Sequence, residues 1–335
     1  MATISAYNLA IGVQQRRYPY EATIKSGLTV ADEFCIVYDK RFDDPAIFTA
    51  IDPRVRPIEI EIDFNEWDFV CKALTTARRA CKGDWCMYLE MDEAIHEKDS
   101  DAIRKAVNDA DANGREAVHV RYLNMTQNLV QPERFVDMEL GYETSKVAPS
   151  RQKIIKNEPF IYHKIADYMI GHLDESDGSW DGRYIKSYAY DDVPYYDERT
   201  DAWFNDKAAK FVEDDYKFPV ALMFQDSPMR EVNAIDHLMR NYSYVWHYSV
   251  YNYGRKICQA KQTAIWQDRM YGRSNSLDVD TLVKELQTPV VIDPEISKKY
   301  IEDAKKAGWL EMSYMCNRHP CSILNWLKTM GVDAV

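Results

Sequence analysis

Three carboxylates directly follow a short apolar segment in the first third of the chain. Glu90, Asp92 and Glu93 come after residues 85–89, an apolar run that predicts a buried β-strand. Glu90 and Asp92 are two positions apart, so both can direct a carboxylate at one divalent cation. Oxygen ligands favour Mg²⁺ or Mn²⁺, ions that proteins commonly share with substrate phosphates. The competing interpretation is an exposed acidic turn at the start of a helix, where carboxylates suit the positive helix end.

The elements that must position this turn alternate between strand and helix patterns. Short apolar runs predict the strands, and apolar residues at three- and four-residue spacing predict the helices. Strands joined by helical crossovers indicate an α/β fold, with a mostly parallel sheet flanked by helices. Ligands of such sheets bind beyond the carboxyl ends of the strands. The predicted strands are 3–7, 33–38, 57–62, 85–89 and 117–123, and the predicted helices are 20–26, 64–80 and 100–110.

The pattern changes in the second half of the chain. Residues 140–255 are rich in Tyr, Asp and turn residues, which predicts long loops and irregular strands laid over the sheet. Loops of this kind commonly carry the residues that set specificity. Further helices are predicted at 254–270, 296–307 and 321–330.

Composition and charge exclude several classes of protein. The chain has 335 residues, of which 46% are hydrophobic and 29% charged, so a disordered chain is excluded. Its net charge of −12 disfavours non-specific attraction to nucleic acid. The longest apolar run, 218–224, is too short to span a bilayer, and the N-terminus lacks the pattern of a secretory signal. We therefore expect a cytoplasmic protein.

Several segments resemble one enzyme family. CKGDWCMYLEMDEAI (81–95) resembles the "gdW-hydrophobic-D-x-D-E" signature of family 2 glycosyltransferases of the GT-A fold, with Glu90-Met91-Asp92 in the place of D-x-D. TISAYN and YPYEATIKSGLTVADEFCIVYD resemble the first strand, helix and second strand of that family. The following KRFDDPA departs from the family's loop rich in glycine and serine, and Asp43 or Asp44 matches its Asp.

Two later segments extend this resemblance. VWHYSVYNYGRKICQAKQ (245–262) resembles the element that closes the active site, where a His completes the metal shell and basic residues face the diphosphate. GHLDES (171–176) resembles the region near the acceptor. The matches imply that Glu90, Asp92 and His247 are the metal ligands. They imply the following contacts for the nucleotide-sugar donor: Tyr7, Asn8, Asp39, Arg78, Arg79, Glu90, Arg255 and Lys261. They also imply Glu175 or Asp174 as the catalytic base, although Asp177, Asp181, Asp191 and Asp192 lie in equally acidic loops.

The resemblance implies a metal-dependent glycosyltransferase with Mn²⁺ or Mg²⁺ as cofactor and a nucleotide-sugar, favouring a UDP-sugar, as donor. It divides the chain into a nucleotide-sugar-binding half (1–125), an acceptor-binding half (126–270) and a helical C-terminal extension (271–335) that could form a homodimer. A glycan is the expected acceptor.

Three alternatives stay open. The acceptor could be a hydroxylated or hydroxymethylated base in viral DNA, because compact family members in phages also lack membrane helices. In that case the protein would work in the cytoplasm of the host. Arg151, Lys153 and Lys156 would then contact the DNA backbone. A nucleotidyltransferase also uses carboxylate-bound Mg²⁺, although residues 8–18 contain a single glycine rather than a glycine-rich loop. A carbohydrate-binding module without turnover is the third alternative.

Overall fold

The first part of the chain alternates strands and helices, as the sequence predicts. The computed structural model describes residues 1–66, 69–126, 129–131, 133–137, 142–146, 150–159, 161–165, 169–172, 187–189, 244–248, 279–290 and 320–329. The strands up to residue 126 are β1 (Ile4–Ala10), β2 (Glu33–Tyr38), β3 (Val55–Glu59), β4 (Trp85–Tyr88), β5 (Glu93–Ile95) and β6 (Ala117–Thr126). The helices in this part are α1 (Tyr20–Val30), α2 (Ala46–Thr49), α3 (Phe69–Arg79) and α4 (Ser100–Ala112), with a 3-10 turn at Glu97–Asp99.

Short strands dominate what is described of the second half. The remaining strands are β7 (Leu129–Gln131), β8 (Glu133–Asp137), β9 (Tyr142–Lys146), β10 (Ser150–Lys156), β11 (Ile161–Ile165), β12 (Met169–His172), β13 (Ser187–Ala189) and β14 (Tyr244–His247). Near the C-terminus lie α5 (Val279–Gln287), a 3-10 turn at Cys321–Ile323 and α6 (Leu324–Thr329). The last two confirm the short helix predicted at 321–330, whereas the helices predicted at 254–270 and 296–307 lie outside the described residues.

One sheet forms the centre of the fold. Its strand order is β3-β2-β1-β4-β10-β6-β14-β5, and β7 and β13 also pair with β6. The first four strands are parallel, β10 runs antiparallel to both of its neighbours, and β14 is parallel to β6. The predicted α/β fold, with a mostly parallel sheet flanked by helices, is confirmed. Parallel strands place their carboxyl ends at one edge, so residues that follow β1, β2 and β4 share that edge.

The central strands are buried on both faces, with alternate residues in separate cores. In β4, Trp85 and Met87 belong to the cluster that contains residues of α1 and α4. Cys86 and Tyr88 belong to the cluster beneath α3. Because both faces of the sheet are buried, both sets of alternate residues are apolar. These strands are therefore continuous apolar runs in the sequence.

Several predicted boundaries are wrong: β1, α1 and β6 extend beyond their predicted ends, and the bounds of β3 and α3 are displaced. The strand predicted at 57–62 is β3, Val55–Glu59. It is the edge strand, where burial on one side imposes a weaker apolar pattern and Pro57 is tolerated. The helix predicted to begin at residue 64 does not begin there: residues 64–66 form a turn, and Phe64 is buried against Phe42 in a separate cluster.

The described C-terminal segments pack on the N-terminal half. Leu282 and Leu286 of α5 join a buried cluster with Phe42, Ile62 and Phe64. Farther along, the indole N–H of Trp326 donates to the carbonyl of Arg17 at 3.1 Å, in the loop after β1. Among the described residues, no helix has both the length and the apolar composition needed to cross a bilayer.

Candidate metal site at the carboxyl edge of the sheet

The chain makes a tight turn after β4 and returns directly into β5. The backbone N–H of Glu93 donates to the carbonyl of Glu90 at 2.9 Å, and the Glu93 carboxylate accepts from the Glu90 N–H at 2.8 Å. Asp92 and Glu93 are 2% and 0% exposed. The alternative of an exposed acidic turn at a helix start is therefore wrong: the turn leads into a strand and buries two of its carboxylates.

Strand β14 brings His247 to this turn from far along the sequence. It pairs antiparallel with β5, and His247 lies opposite Glu93. The next residue, Tyr248, donates its backbone N–H to the Asp92 carbonyl at 2.7 Å. These backbone contacts fix the imidazole beside the acidic turn.

The side chains of Glu90, Asp92 and His247 converge on one point. The His247 Nε2 lies 3.7 Å from Asp92 Oδ1 and 4.0 Å from Glu90 Oε2, and the three ligand atoms all lie within 4.8 Å of one another. Groups that bind one small cation at about 2.1 Å lie roughly 3 to 4 Å apart. Two carboxylates and an imidazole are also suitable ligands for a divalent ion. The donor set therefore fits a divalent cation.

A buried lysine contacts the other side of the turn. Lys153 of β10 is 3% exposed, and its Nζ lies 2.6 Å from Glu93 Oε1 and 3.2 Å from Glu90 Oε1. The ammonium also lies 4.8 Å from the centre of the Tyr88 ring. Because Lys153 is buried and paired with carboxylates, its assignment as a contact for a DNA backbone is wrong. Lys156, named for the same role, lies 3.3 Å from Asp111.

The two glutamates of the turn have opposite shifts in pKa. Burial raises the pKa of Glu93, and the neighbouring Glu90 carboxylate raises it further against the effect of Lys153. Burial would raise the pKa of Glu90 too, but the positive charges of Lys153 and His247 outweigh it and lower that pKa. Glu90 is thus the carboxylate of this pair that is held ionised.

Asp39 lies at the same edge of the sheet, directly after β2. Its buried carboxylate accepts from Arg41 Nη2 at 2.6 Å and from the backbone N–H of Ile62 at 2.9 Å. Burial would raise the pKa of Asp39, but these hydrogen bonds and the charge of Arg41 lower it. Asp39 therefore stays ionised in a site already occupied by Arg41.

Asn8 and Asp43 tie loops together at this edge. The Asn8 amide, at the carboxyl half of β1, donates to the carbonyl of Leu89 just before the acidic turn. Asp43 accepts backbone N–H groups from Gly12 at 2.6 Å and Val13 at 2.8 Å, which joins the loops after β1 and β2. Gly12 has φ of +61°, a conformation that favours glycine.

The other residues matched to the donor site occupy different surroundings. Tyr7 is fully buried in the cluster beneath α3, and its hydroxyl hydrogen-bonds to His163 Nε2 at 2.8 Å. Arg78 is also fully buried and donates to the carbonyl of Ile161. Arg79, its neighbour on α3, is exposed. The predicted residues Asp174, Glu175, Arg255 and Lys261 lie outside the described part of the chain.

Sequence reasoning missed the part played by Lys153 and Glu93 in the site. The adjacent Ile154 and Ile155 are a signal for a buried strand at this point, but the polar residues 150–153 obscure it. Both isoleucines are fully buried, on opposite faces of the sheet.

Comparisons with known proteins give partial matches in structure. No family model and no curated protein sequence matches the chain. The 4-diphosphocytidyl-2C-methyl-D-erythritol synthase of Anaerococcus prevotii is similar at 15% identity, over 47% of this chain and 70% of that one, with a TM-score of 0.32. Residues 1–349 of S. aureus TarS are similar at 13% identity, over 46% of this chain and 47% of that one, with a TM-score of 0.30. A second structure of S. aureus TarS is similar at 12% identity, over 46% of this chain and 28% of that one, with a TM-score of 0.29. What this chain does is therefore inferred from the acidic turn and its surroundings.

Proposed function

We propose that this chain is a metal-dependent glycosyltransferase that moves a sugar from a nucleotide-sugar, in the first instance a UDP-sugar, to a hydroxyl of a glycan. The observation that supports it most directly is the convergence of Glu90, Asp92 and His247 at the carboxyl edge of a parallel sheet. An α/β sheet binds its ligands at this edge, and carboxylates placed there suit a cation shared with phosphates.

In this proposal Glu90, Asp92 and His247 hold Mn²⁺ or Mg²⁺. A divalent ion so placed supplies charge neutralisation for the departing nucleoside diphosphate. Asp39 follows β2, two strands away from β4 along the same edge, and orients the nucleoside. Asn8 positions the acidic turn through its hydrogen bond to Leu89.

The remaining assignments follow the division of the chain. Residues 1–125 bind the donor, 126–270 bind the acceptor, and 271–335 form the C-terminal extension, whose described segments 279–290 and 320–329 pack on the N-terminal half. Arg255 and Lys261 are proposed contacts for the diphosphate. Tyr7 is buried in the cluster beneath α3, Arg78 is buried as well, and Arg79 lies at the end of α3 that precedes the start of β4. Glu175 or Asp174 takes the proton from the acceptor hydroxyl if the configuration is inverted.

The test is release of nucleoside diphosphate from a panel of nucleotide-sugars, with and without Mn²⁺. We expect release from one donor that needs the metal and is lost in Asp92→Asn. Asp101→Asn is the matched control, because Asp101 is an exposed carboxylate on α4. It should behave like the wild type.

Other outcomes point to other classes. Release of pyrophosphate from a nucleoside triphosphate and a sugar phosphate would indicate a nucleotidyltransferase. Sugar binding that is independent of metal, with no nucleotide release from any donor, would indicate a binding module and contradict the proposal.

A further inference from the structure

The two oxygens of the Glu90 carboxylate have different neighbours. Oε1 lies 3.2 Å from Lys153 Nζ, while Oε2 faces His247 Nε2 at 4.0 Å. The same ammonium is held from its other side by Glu93 Oε1 at 2.6 Å. Glu93 in turn accepts the backbone N–H of Glu90 at 2.8 Å. Lys153 and Glu93 thus contact both the side chain and the backbone of Glu90.

A β-bulge gives Lys153 this position. Gln152 pairs with His119 of β6 and Ile154 with the next residue, Val118, so Lys153 is the extra residue in β10. Bulges redirect a side chain from the regular alternation of a strand. On its other side β10 pairs with β4, with Ile154 opposite Met87. The backbone of Lys153 is therefore fixed relative to the strand that leads into the acidic turn.

Burying a lysine is costly unless its charge is paired and hydrogen-bonded. A pair between Lys153 and Glu93 would satisfy that requirement. Lys153 also contacts Glu90, whose side chain is 22% exposed. This contact connects the buried pair to a proposed metal ligand.

We propose that Lys153 is a positioning residue for the cation site: anchored by Glu93, it holds Oε1 of Glu90 so that Oε2 is presented beside Asp92 and His247. This inference rests on the proposed function, because it assumes that these three residues hold a divalent ion. Lys153 itself contacts neither the ion nor the substrate. Partners that orient a ligand in this way typically contribute about 10- to 100-fold to metal affinity.

The experiment measures Mn²⁺ affinity of the full chain by electron paramagnetic resonance, without any nucleotide or activity readout. The main variant is Lys153→Met combined with Glu93→Gln, which removes the ammonium together with the carboxyl group beside it, so that neither is left buried without its partner. We expect Mn²⁺ to bind at least about tenfold more weakly, with the unfolding transition retained. Lys153→Arg keeps a donor for both carboxylates and should bind Mn²⁺ more tightly than the double variant.

Several results would overturn the inference. A folded double variant with wild-type affinity would assign the buried pair to stability alone, and equal affinity in Lys153→Arg and the double variant would exclude positioning by a hydrogen bond. If the double variant does not fold, Glu93→Gln alone is decisive. It conserves volume and removes the carboxylate that anchors Lys153, so Oε1 of Glu90 is held less firmly. About tenfold weaker binding is therefore expected, and unchanged affinity would contradict us.

Asp92→Asn separates this inference from the proposed function. If the wild-type chain binds no Mn²⁺, the metal site itself fails and both proposals fall. If the wild type binds Mn²⁺ and Asp92→Asn does not, the site stands, and the double variant decides the role of Lys153.

Discussion

Three carboxylates at the carboxyl edge of the sheet have different partners, which determine their chemistry. Asp39 is held by a guanidinium, Asp43 by two backbone N–H groups, and Glu90 by an ammonium on one oxygen. These differences separate carboxylates that look equivalent in the sequence. Asp39 and Asp43 fix the loops after the strands, whereas Glu90 keeps one oxygen directed at Asp92 and His247.

We predict that Arg41→Met destabilises the chain in a way that depends on pH. The folded-state pKa of Asp39 is lowered, so ionised Asp39 contributes stability above its unfolded pKa, and that contribution is lost as the pH falls through the folded pKa. Without the Arg41 side chain, a hydrogen bond and a positive charge that oppose the effect of burial are lost, so that pKa rises. Loss of a hydrogen bond between charged groups costs about 2–3 kcal/mol at pH 7, and the difference from wild type narrows on acidification.

Urea unfolding at neutral and acidic pH measures this difference. The control is Arg54→Met, because Arg54 pairs with Asp52 at the surface, where such pairs contribute roughly 0–1 kcal/mol. A loss of stability in Arg41→Met that stays constant down to acidic pH would show that Asp39 is not the group responsible.

At the scale of elements, close packing of α1 on the sheet supports the strand that leads into the acidic turn. Gly27 of α1 faces Phe34 of β2 and Leu89 at the end of β4. A Cβ at this position would lie 2.8 Å from the Phe34 ring and 3.0 Å from a Leu89 methyl group. The absence of a side chain therefore sets the separation between helix and sheet.

Gly27→Ala is expected to lower the free energy of unfolding by about 1–3 kcal/mol, because overpacking a core forces side chains and backbone to shift. The opposite sign holds at exposed helical sites, where Ala in place of Gly stabilises by roughly 1 kcal/mol. Chemical denaturation measures the change, with the exposed Lys25→Ala on the same helix as control. A Gly27→Ala protein as stable as the wild type would mean that the helix moves away without cost.

At the scale of the whole molecule, α5 packs at the carboxyl edge of the sheet. The side chain of Gln287 donates to the carbonyl of Arg41 at 3.2 Å, and the backbone N–H of Val290 donates to the backbone carbonyl of Gln15 at 2.8 Å. Helix α5 and the residues after it thus contact the loops after both β1 and β2. The described part of the C-terminal extension packs on the N-terminal half of the chain.

We predict that Leu286→Ala destabilises the N-terminal half of the chain and does not merely release α5. Truncation of a buried leucine costs about 2–5 kcal/mol, and Leu286 packs in the same cluster as Phe42 and Phe64. Thermal unfolding should shift as a whole, and amide exchange should increase in the loop 39–43. Lys284→Ala, at an exposed position of the helix, is the control. An unchanged main transition with exchange confined to 279–290 would contradict this prediction.

Local patterns account for what could be predicted. The strand at 33–38 is predicted to the residue because Phe34, Ile36 and Val37 are buried on both faces and give an uninterrupted apolar run. The helices α1 and α4 follow from apolar spacing, since each packs one face on the sheet. Strand β10 could not be predicted in this way, because its start is polar and its place is set by pairing with β4 and β6.

The sequence by itself determined the alternation of strands and helices and the pair of carboxylates two residues apart after a buried strand. These features depend on neighbouring residues alone, and burial imposes them directly on residue type. The resemblance of residues 245–262 also implied His247 as a third ligand. Only the tertiary structure decided that Glu93 is buried, that Lys153 stands between it and Glu90, and that β14 pairs with β5 so that His247 lies opposite Glu93. Each of these depends on pairing between strands far apart in the chain, and the register of that pairing leaves no local pattern in the sequence.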